Sequence, residues 1–230
     1  MPVFWLQEDE YIFPHPDQAN PDGLLAVGGD LSPKRLLLAY SWGIFPWFSE
    51  EDPILWWHPD PRFVLFPPQL KVSKSMRPYF NQAKFRVTYD QAFAQVIAAC
   101  STLPRRGQRG TWITDDINSA YCELHKQGYA HSVEVWEGAE LVGGLYGIAL
   151  GKVFFGESMF ARTANASKFG FITLVRELTE QGYELIDCQQ KTAHLASLGA
   201  SAISRADFLA ILADNRARPV EPRSWGAGIH

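Results

Sequence analysis

The sequence predicts an α+β protein: a small N-terminal α/β domain over residues 1–66, then a larger domain over residues 67–230 whose mixed sheet is flanked by helices. Three observations carry that expectation. Between Phe13 and Pro68 the chain is crowded with Pro, Gly and Trp and holds a single short helical run, a pattern of tight turns and short strands around one helix. Beyond Pro68 the punctuation becomes regular: "HSVEVW", "AELVGGLYGIAL" and "GKVFFGESMF" read as three strands joined by turns at Glu137-Gly138 and Gly151. After that meander, helical and extended segments alternate. The order β-β-β-α-β-α-β-α closes naturally as a mixed sheet with helices on its faces.

Each element has a local cause. Ser32 followed by Pro33 is an N-cap and first-turn pair, "KRLLLAYSW" has helical spacing, and Gly43 stops the helix. Thr114 caps another helix with Asp115 and Asp116 in its first turn, where the helix dipole favours negative charge, and Gly128 ends it. A helix over roughly 166–181 presents Phe171, Leu174, Val175 and Leu178 on one face. The strand "ELIDC" follows, and two further helices bracket the short strand "ASAIS".

With 47% hydrophobic residues in 230, the chain can bury a real core, which excludes a disordered protein. The N-terminal "MPVFWLQEDEYIF" is acidic and lacks the basic and apolar regions of an export signal. The longest apolar stretch, Leu141 to Phe160, is interrupted by five glycines, Lys152 and Glu157. A cytoplasmic protein without a membrane span is expected. Cys100, Cys122 and Cys188 are odd in number and far apart, a pattern of neither a disulfide framework nor a cysteine zinc site. The net charge of −4 argues against general affinity for nucleic acid, so a polyanion would have to meet a local patch. Lys71, Lys74, Arg77, Lys84 and Arg86 form such a patch with no acidic residue among them, and Arg105, Arg106 and Arg109 follow.

The stretch "YELIDCQQKTAHLASLGA" runs a buried-looking strand into Asp187, Cys188, Gln189 and Gln190. Cys188 with His194 invites a thiolate–imidazole reading. Strand alternation opposes it, since Asp187 and Gln189 share one face and Ile186 and Cys188 the other, which leaves the thiol in packing if the polar face lines a site. Asp187 and Gln189 lie where open sheets bind ligands, at the C-terminal end of a strand; a helix-capping Asp187 is the plain alternative. Glu157 sits between Phe155 and Met159 on one apolar strand face, so it is either paired or functional, and Gly156 beside it suggests a bulge. Trp42, Trp47, Trp56, Trp57 and Trp112 are packing residues or, next to a basic patch, stacking platforms for unpaired bases. No His, Cys or carboxylate spacing points to a metal, and none is expected.

The blocks "GLLAVGGDLSPKRLLLAYSWGIFPWFSEEDPILWWHPDPR", "GTWIT", "AHSVEVWEGAELVGGLYGIALGKVFFGESMF", "NASK" and "LIDCQQKTAHLASLGA" belong to a match that runs from about Phe13 to Leu212. Together they closely resemble bacterial leucyl/phenylalanyl-tRNA-protein transferases. The resemblance implies that the larger domain is a GNAT-like acyltransferase domain. It also implies transfer of Leu or Phe, less well Met, from aminoacyl-tRNA to proteins with N-terminal Arg or Lys, which marks them for N-end-rule degradation. Aminoacyl-tRNA and those acceptor proteins would be its partners, with no cofactor, and the chain is expected to be a monomer.

By the same resemblance Asp187, Gln189 and Glu157 are catalytic, and Trp47 and Trp112 hold the 3′-terminal adenosine. Leu145, Phe154, Met159, Leu174 and Ile186 would line the apolar pocket for the transferred side chain, and Lys74, Arg77, Lys84 and Arg86 would grip the acceptor stem. Leu145 and Leu174 stand where relatives carry Met and Phe, and Thr192 where some carry Asn. Asp187 would either have a raised pKa and act as a base or orient the acceptor ammonium, with Gln189 positioning. A CoA-dependent N-acetyltransferase would share the fold, but the helix after the meander opens with "FARTANASKFG" in place of a glycine loop for a pyrophosphate. A non-catalytic RNA-binding protein would leave Glu157 and Asp187 without a role.

Overall fold

The computed structural model describes residues 3–102, 113–226 and 229. Its first sheet, in the order β1-β2-β4-β3, is formed by β1 (Phe4–Leu6), β2 (Leu24–Gly28), β3 (Phe45–Pro46) and β4 (Leu55–Trp57). Helix α1 (Pro33–Ser41) connects β2 to β3, and the Ser32 hydroxyl accepts the Arg35 N–H at its start. The buried residues Arg35, Leu36, Ala39 and Tyr40 follow helical spacing. At Gly43, where φ is +69°, a Cβ would lie 2.3 Å from the Phe208 ring, so only glycine lets the chain turn here.

The second sheet has the order β11-β5-β10-β9-β8-β7-β6. Its strands are β5 (Arg62–Leu65), β6 (Arg86–Tyr89), β7 (Ala130–Glu137), β8 (Glu140–Leu150), β9 (Val153–Ala161), β10 (Leu185–Asp187) and β11 (Ser201–Ile203). Strands β9 and β10 run parallel and every other neighbouring pair is antiparallel. The helices are α2 (Arg77–Asn81), α3 (Phe93–Thr102), α4 (Asp115–Lys126), α5 (Ala166–Glu180), α6 (Ala193–Ser197) and α7 (Arg205–Arg216). From β7 onward the order is the one that the sequence predicts. Strand β5 lies before residue 66, where the sequence reading draws the domain boundary, yet it pairs with β10 and β11 in the larger sheet.

One face of the larger sheet is covered by α5. Phe171, Leu174, Val175 and Leu178 pack there with Val133, Val135, Leu145, Phe154 and Ile186. On the other face Val96, Ile97, Ile117, Tyr121 and Leu124, from α3 and α4, meet Tyr146, Ile148 and Phe155. The same cluster continues into Leu36, Tyr40, Ile44, Phe45 and Trp56. The small sheet therefore shares its core with the large one.

Between β8 and β9 the register passes from Tyr146↔Ser158 to Gly147↔Gly156, so Glu157 is an extra residue on β9. That bulge reverses side-chain parity along the strand. Phe155 joins the core facing the small sheet, whereas Met159 packs against the α5 core. This corrects the expectation that Phe155, Glu157 and Met159 share one face: simple alternation fails across an inserted residue. Gly147 makes the kink possible, because a Cβ there would stand 2.2 Å from the Phe155 carbonyl oxygen and 2.5 Å from the Phe154 ring. Gly147→Ala is expected to lower the unfolding free energy by about 1–3 kcal/mol through overpacking, read from urea denaturation midpoints.

Candidate active site

The parallel pairing of β9 with β10 covers only Val153 to Phe155 against Leu185 to Asp187. Past that point β9 bulges at Glu157 and β10 has ended, and a cavity of about 420 Å³ opens between them. Leu145, Phe154, Met159, Phe171, Ile186 and Leu195 make its apolar wall. Glu157, Ser158, Gln189, Gln190, Thr192 and His194 supply its polar side, and Phe45, Pro46 and Trp47 close it from the small sheet.

Glu157 is held by three uncharged donors. The hydroxyls of Tyr40 and Tyr121 donate to Oε1 at 2.7 Å and Oε2 at 3.1 Å, and the Gln189 amide donates to Oε1 at 2.9 Å. The two tyrosine hydroxyls also contact one another. Burial pushes the Glu157 carboxyl up to about 7 and the charge of Asp187 adds to the rise, while the tyrosine hydrogen bonds oppose it. The carboxyl thus gains and loses its proton near neutrality. Both tyrosines are pushed well above their ordinary range, mainly by burial and then by the Glu157 charge, and so remain donors.

Asp187 has a different environment. It is fully buried, and the equally buried Arg62 grips it with two hydrogen bonds, Nε to Oδ1 at 2.8 Å and Nη2 to Oδ2 at 2.6 Å. The Arg62 guanidinium lies over the Phe45 and Phe208 rings at 4.8 and 4.7 Å. Nearby His58 is kept neutral by burial and by the charges of Arg62 and Arg205, its pKa down to about 2. Asp187 Oδ1 also accepts the backbone N–H of Gln189 at 2.8 Å, and Gln189 adopts the left-handed conformation at φ +60°. With its oxygens so engaged, Asp187 sets the position of Gln189, and through Gln189 that of Glu157.

Alternation puts Cys188 on the face of Ile186, and it packs there against the core under α5; half-buried just past the end of β10, it also borders the cavity, as Ile186 does. Burial and then the neighbouring Asp187 charge push its thiol up, away from the thiolate that a nucleophile requires. His194 also lines the cavity, its pKa lowered by burial and by Lys168.

Of the other residues singled out by sequence, Trp47, Leu145, Phe154, Met159 and Ile186 all border the cavity. Leu174 is instead fully buried in the core under α5. Trp112 lies outside the described residues, as do Arg105, Arg106 and Arg109. Lys74, Arg77, Lys84 and Arg86 are exposed; Lys84 stands 3.5 Å from Glu137, and Arg86 lies over the Trp136 ring. Sequence reading missed Tyr40, Tyr121 and Arg62, since Tyr40 and Tyr121 occupy core-facing helical positions and nothing local marks Arg62 as the partner of Asp187. Among the described residues, no three or more His, Cys, Asp and Glu side chains gather as metal ligands would, and no helix is long and apolar enough to cross a membrane.

The family model for leucyl/phenylalanyl-tRNA protein transferase matches residues 64–213, and that for the N-terminal domain of the same transferase matches residues 29–60. The leucyl/phenylalanyl-tRNA--protein transferase of Pseudomonas fluorescens (strain SBW25) is 57% identical over 217 residues, covering 94% of this chain and 96% of that relative. That of Christiangramia forsetii is 60% identical over 202 residues, covering 87% and 95%. Solved structures with some likeness include L-PGS from Bacillus licheniformis, with 11% identity and a TM-score of 0.40, covering 73% of this chain and 53% of that one. A GCN5-related N-acetyltransferase from Kribbella flavida has 11% identity and a TM-score of 0.34, covering 75% and 61%.

Removing one member of a buried ion pair strands the other charge, so Arg62→Ala and Asp187→Ala are each expected to cost about 3–5 kcal/mol of stability. The double substitution Arg62→Met with Asp187→Leu is expected to recover most of that loss in chemical denaturation. A double variant as unstable as the singles would show that the strands depend on the charges themselves.

Proposed function

The chain belongs to the leucyl/phenylalanyl-tRNA protein transferase family, and we propose that it moves leucine or phenylalanine from aminoacyl-tRNA to the α-amino group of proteins beginning with Arg or Lys. Such a transfer would mark those proteins for N-end-rule degradation. The reading rests on one observation above others: a carboxyl poised near neutrality stands beside an apolar cavity of about 420 Å³. The donor is an ester at the end of the tRNA and the nucleophile is an amine. A bond forms from the α-nitrogen to the ester carbonyl carbon, the bond from that carbon to the ribose oxygen breaks, and one proton must pass from nitrogen to the departing oxygen.

Glu157 suits that proton transfer. A group with pKa near 7 takes a proton from the amine and returns it with little cost in either direction. Tyr40 and Tyr121 hold the carboxylate in place, and Gln189, whose amide N–H binds Glu157, has its carbonyl oxygen left to orient the amine. Asp187 is a positioning residue, and Arg62 fixes it. The apolar wall takes the transferred side chain. Such a wall grades its ligands by shape, so Met enters less well than Leu or Phe. Trp47, at the cavity edge, stacks the terminal adenosine, and the exposed cations Lys74, Arg77, Lys84 and Arg86 meet the acceptor-stem phosphates.

Incubation with charged tRNA and an Arg-initiated peptide is expected to yield a peptide longer by one Leu or Phe, seen by mass spectrometry; no elongation would refute the transfer. The wild-type rate is expected to rise with pH through a limb centred near 7, as Glu157 becomes the carboxylate. Glu157→Gln is expected to abolish that limb and lower the rate by about 10²–10⁴-fold. Tyr40→Phe removes a hydrogen bond that favours the charged form, so its limb is expected to move to higher pH. The acceptor's own α-amine titrates at about 7.7 to 8.0 and contributes a second limb common to all three proteins.

A further inference from the structure

The final stretch of chain returns to the back of the cavity. Trp225 is fully buried there, and its backbone N–H donates to Asp90 Oδ2 at 3.0 Å. Its indole lies flat against the His131 ring, with centroids 4.0 Å apart and planes inclined by 8°. Asp90 also engages His131 Nδ1 at 2.9 Å and accepts the Ser132 N–H at 2.9 Å, so one carboxylate ties the tail and its stacking partner to the sheet. Tyr89 meets the indole edge-on at 6.3 Å.

Among the described residues the remaining ring neighbour of Trp225 is Phe154, with centroids 5.8 Å apart and planes at 29°. Phe154 belongs to the apolar wall of the cavity, so the contact links the tail to the site. The Phe154 ring is also confined by Gly147, where a single methyl would meet its Cζ at 2.5 Å. The ring is thus held between the backbone of β8 and a large, well-anchored indole.

We propose that Trp225 is a positioning residue for donor selectivity: by backing Phe154 it sets the depth of the apolar cavity, and with it the ratio in which leucyl and phenylalanyl donors are used. The proposal rests on the transfer reading above. An apolar pocket separates ligands differing by one methylene by about 10- to 200-fold, so a small retreat of the Phe154 ring is enough to change the ratio.

The test is competition between leucyl-tRNA and phenylalanyl-tRNA at equal concentration, for wild type, Trp225→Leu and Trp225→Phe, with thermal unfolding measured in parallel. Loss of the indole lets Phe154 withdraw and the cavity deepen. The ratio of kcat/KM for phenylalanyl over leucyl donor is expected to rise about tenfold in Trp225→Leu and to stay within about threefold of wild type in Trp225→Phe, which keeps a ring behind Phe154. A purely structural role would lower both donors alike. A wild-type ratio in folded Trp225→Leu would overturn the proposal, and Trp225→Met, whose unbranched side chain adapts better to the vacated space, carries the same reading if Trp225→Leu does not fold. Calorimetric affinities for phenylalaninamide over leucinamide, in the same proteins, read the cavity without any transfer. A wild type that transfers neither donor would therefore defeat the transfer reading and still leave the depth of the cavity decided by the amides.

Discussion

Arg62 and Asp187 place two opposite charges wholly inside the protein, and the shape of the cleft follows from how that is made tolerable. Each buried ion costs several kcal/mol in lost hydration, a cost offset only where charge and hydrogen-bonding capacity are met together. Here the forked guanidinium matches the carboxylate in two parallel bonds, and the Gln189 N–H adds a third donor to Asp187. The rings over the guanidinium come from different parts of the chain, Phe45 from β3 and Phe208 from α7. The pair therefore ties the small sheet, the large sheet and the last helix to one point, and it holds Gln189 in a left-handed turn from which its amide reaches Glu157.

The two carboxylates of the cleft are separated in character by their neighbours. Asp187 faces a full positive charge. Glu157 accepts hydrogen bonds only from dipoles, two hydroxyls and an amide, and of the charges near it that of Asp187 raises its pKa while that of Arg62 lowers it less. Dipoles stabilise a carboxylate less than a cation does, so the buried Glu157 holds its proton to about 7. The tyrosines complete the arrangement because their own ionisation is displaced upward, which keeps them donors whatever the state of Glu157.

What the sequence made legible is what local chemistry determines. The Ser32 and Thr114 caps, the turns at Gly138 and Gly151 and the buried stripe of α5 depend on residues a few positions apart, and all stand where they were expected. Glu157 is legible as a polar anomaly within an apolar strand, and Gln189 as one just past a strand end. Parity along β9 is not: one inserted residue sends Phe155 and Met159 to different cores. The resemblance assigns Leu174 to the pocket, yet of Leu174 and Phe171 on that face of α5 it is Phe171 that reaches the cavity. Tyr40 and Tyr121 could not be recognised, since a tyrosine on an apolar helix face reads as core until the element opposite it is known. Arg62 had no local signal at all, its partner being 125 positions away.

The seat of β5 between β10 and β11 bears on how the protein is born. During synthesis at about 5–20 residues per second, Arg62 leaves the ribosome roughly 6 to 25 seconds before Asp187 does. Throughout that interval the guanidinium has no carboxylate to meet and β5 has neither neighbour, so the early part of the chain cannot settle into its final place. Pairings that bridge so much sequence form late, after most of the loop-closure entropy has been spent. The cleft therefore comes into being as one of the last acts of folding. A half-made chain on the ribosome carries neither the positioned glutamine nor the poised carboxyl.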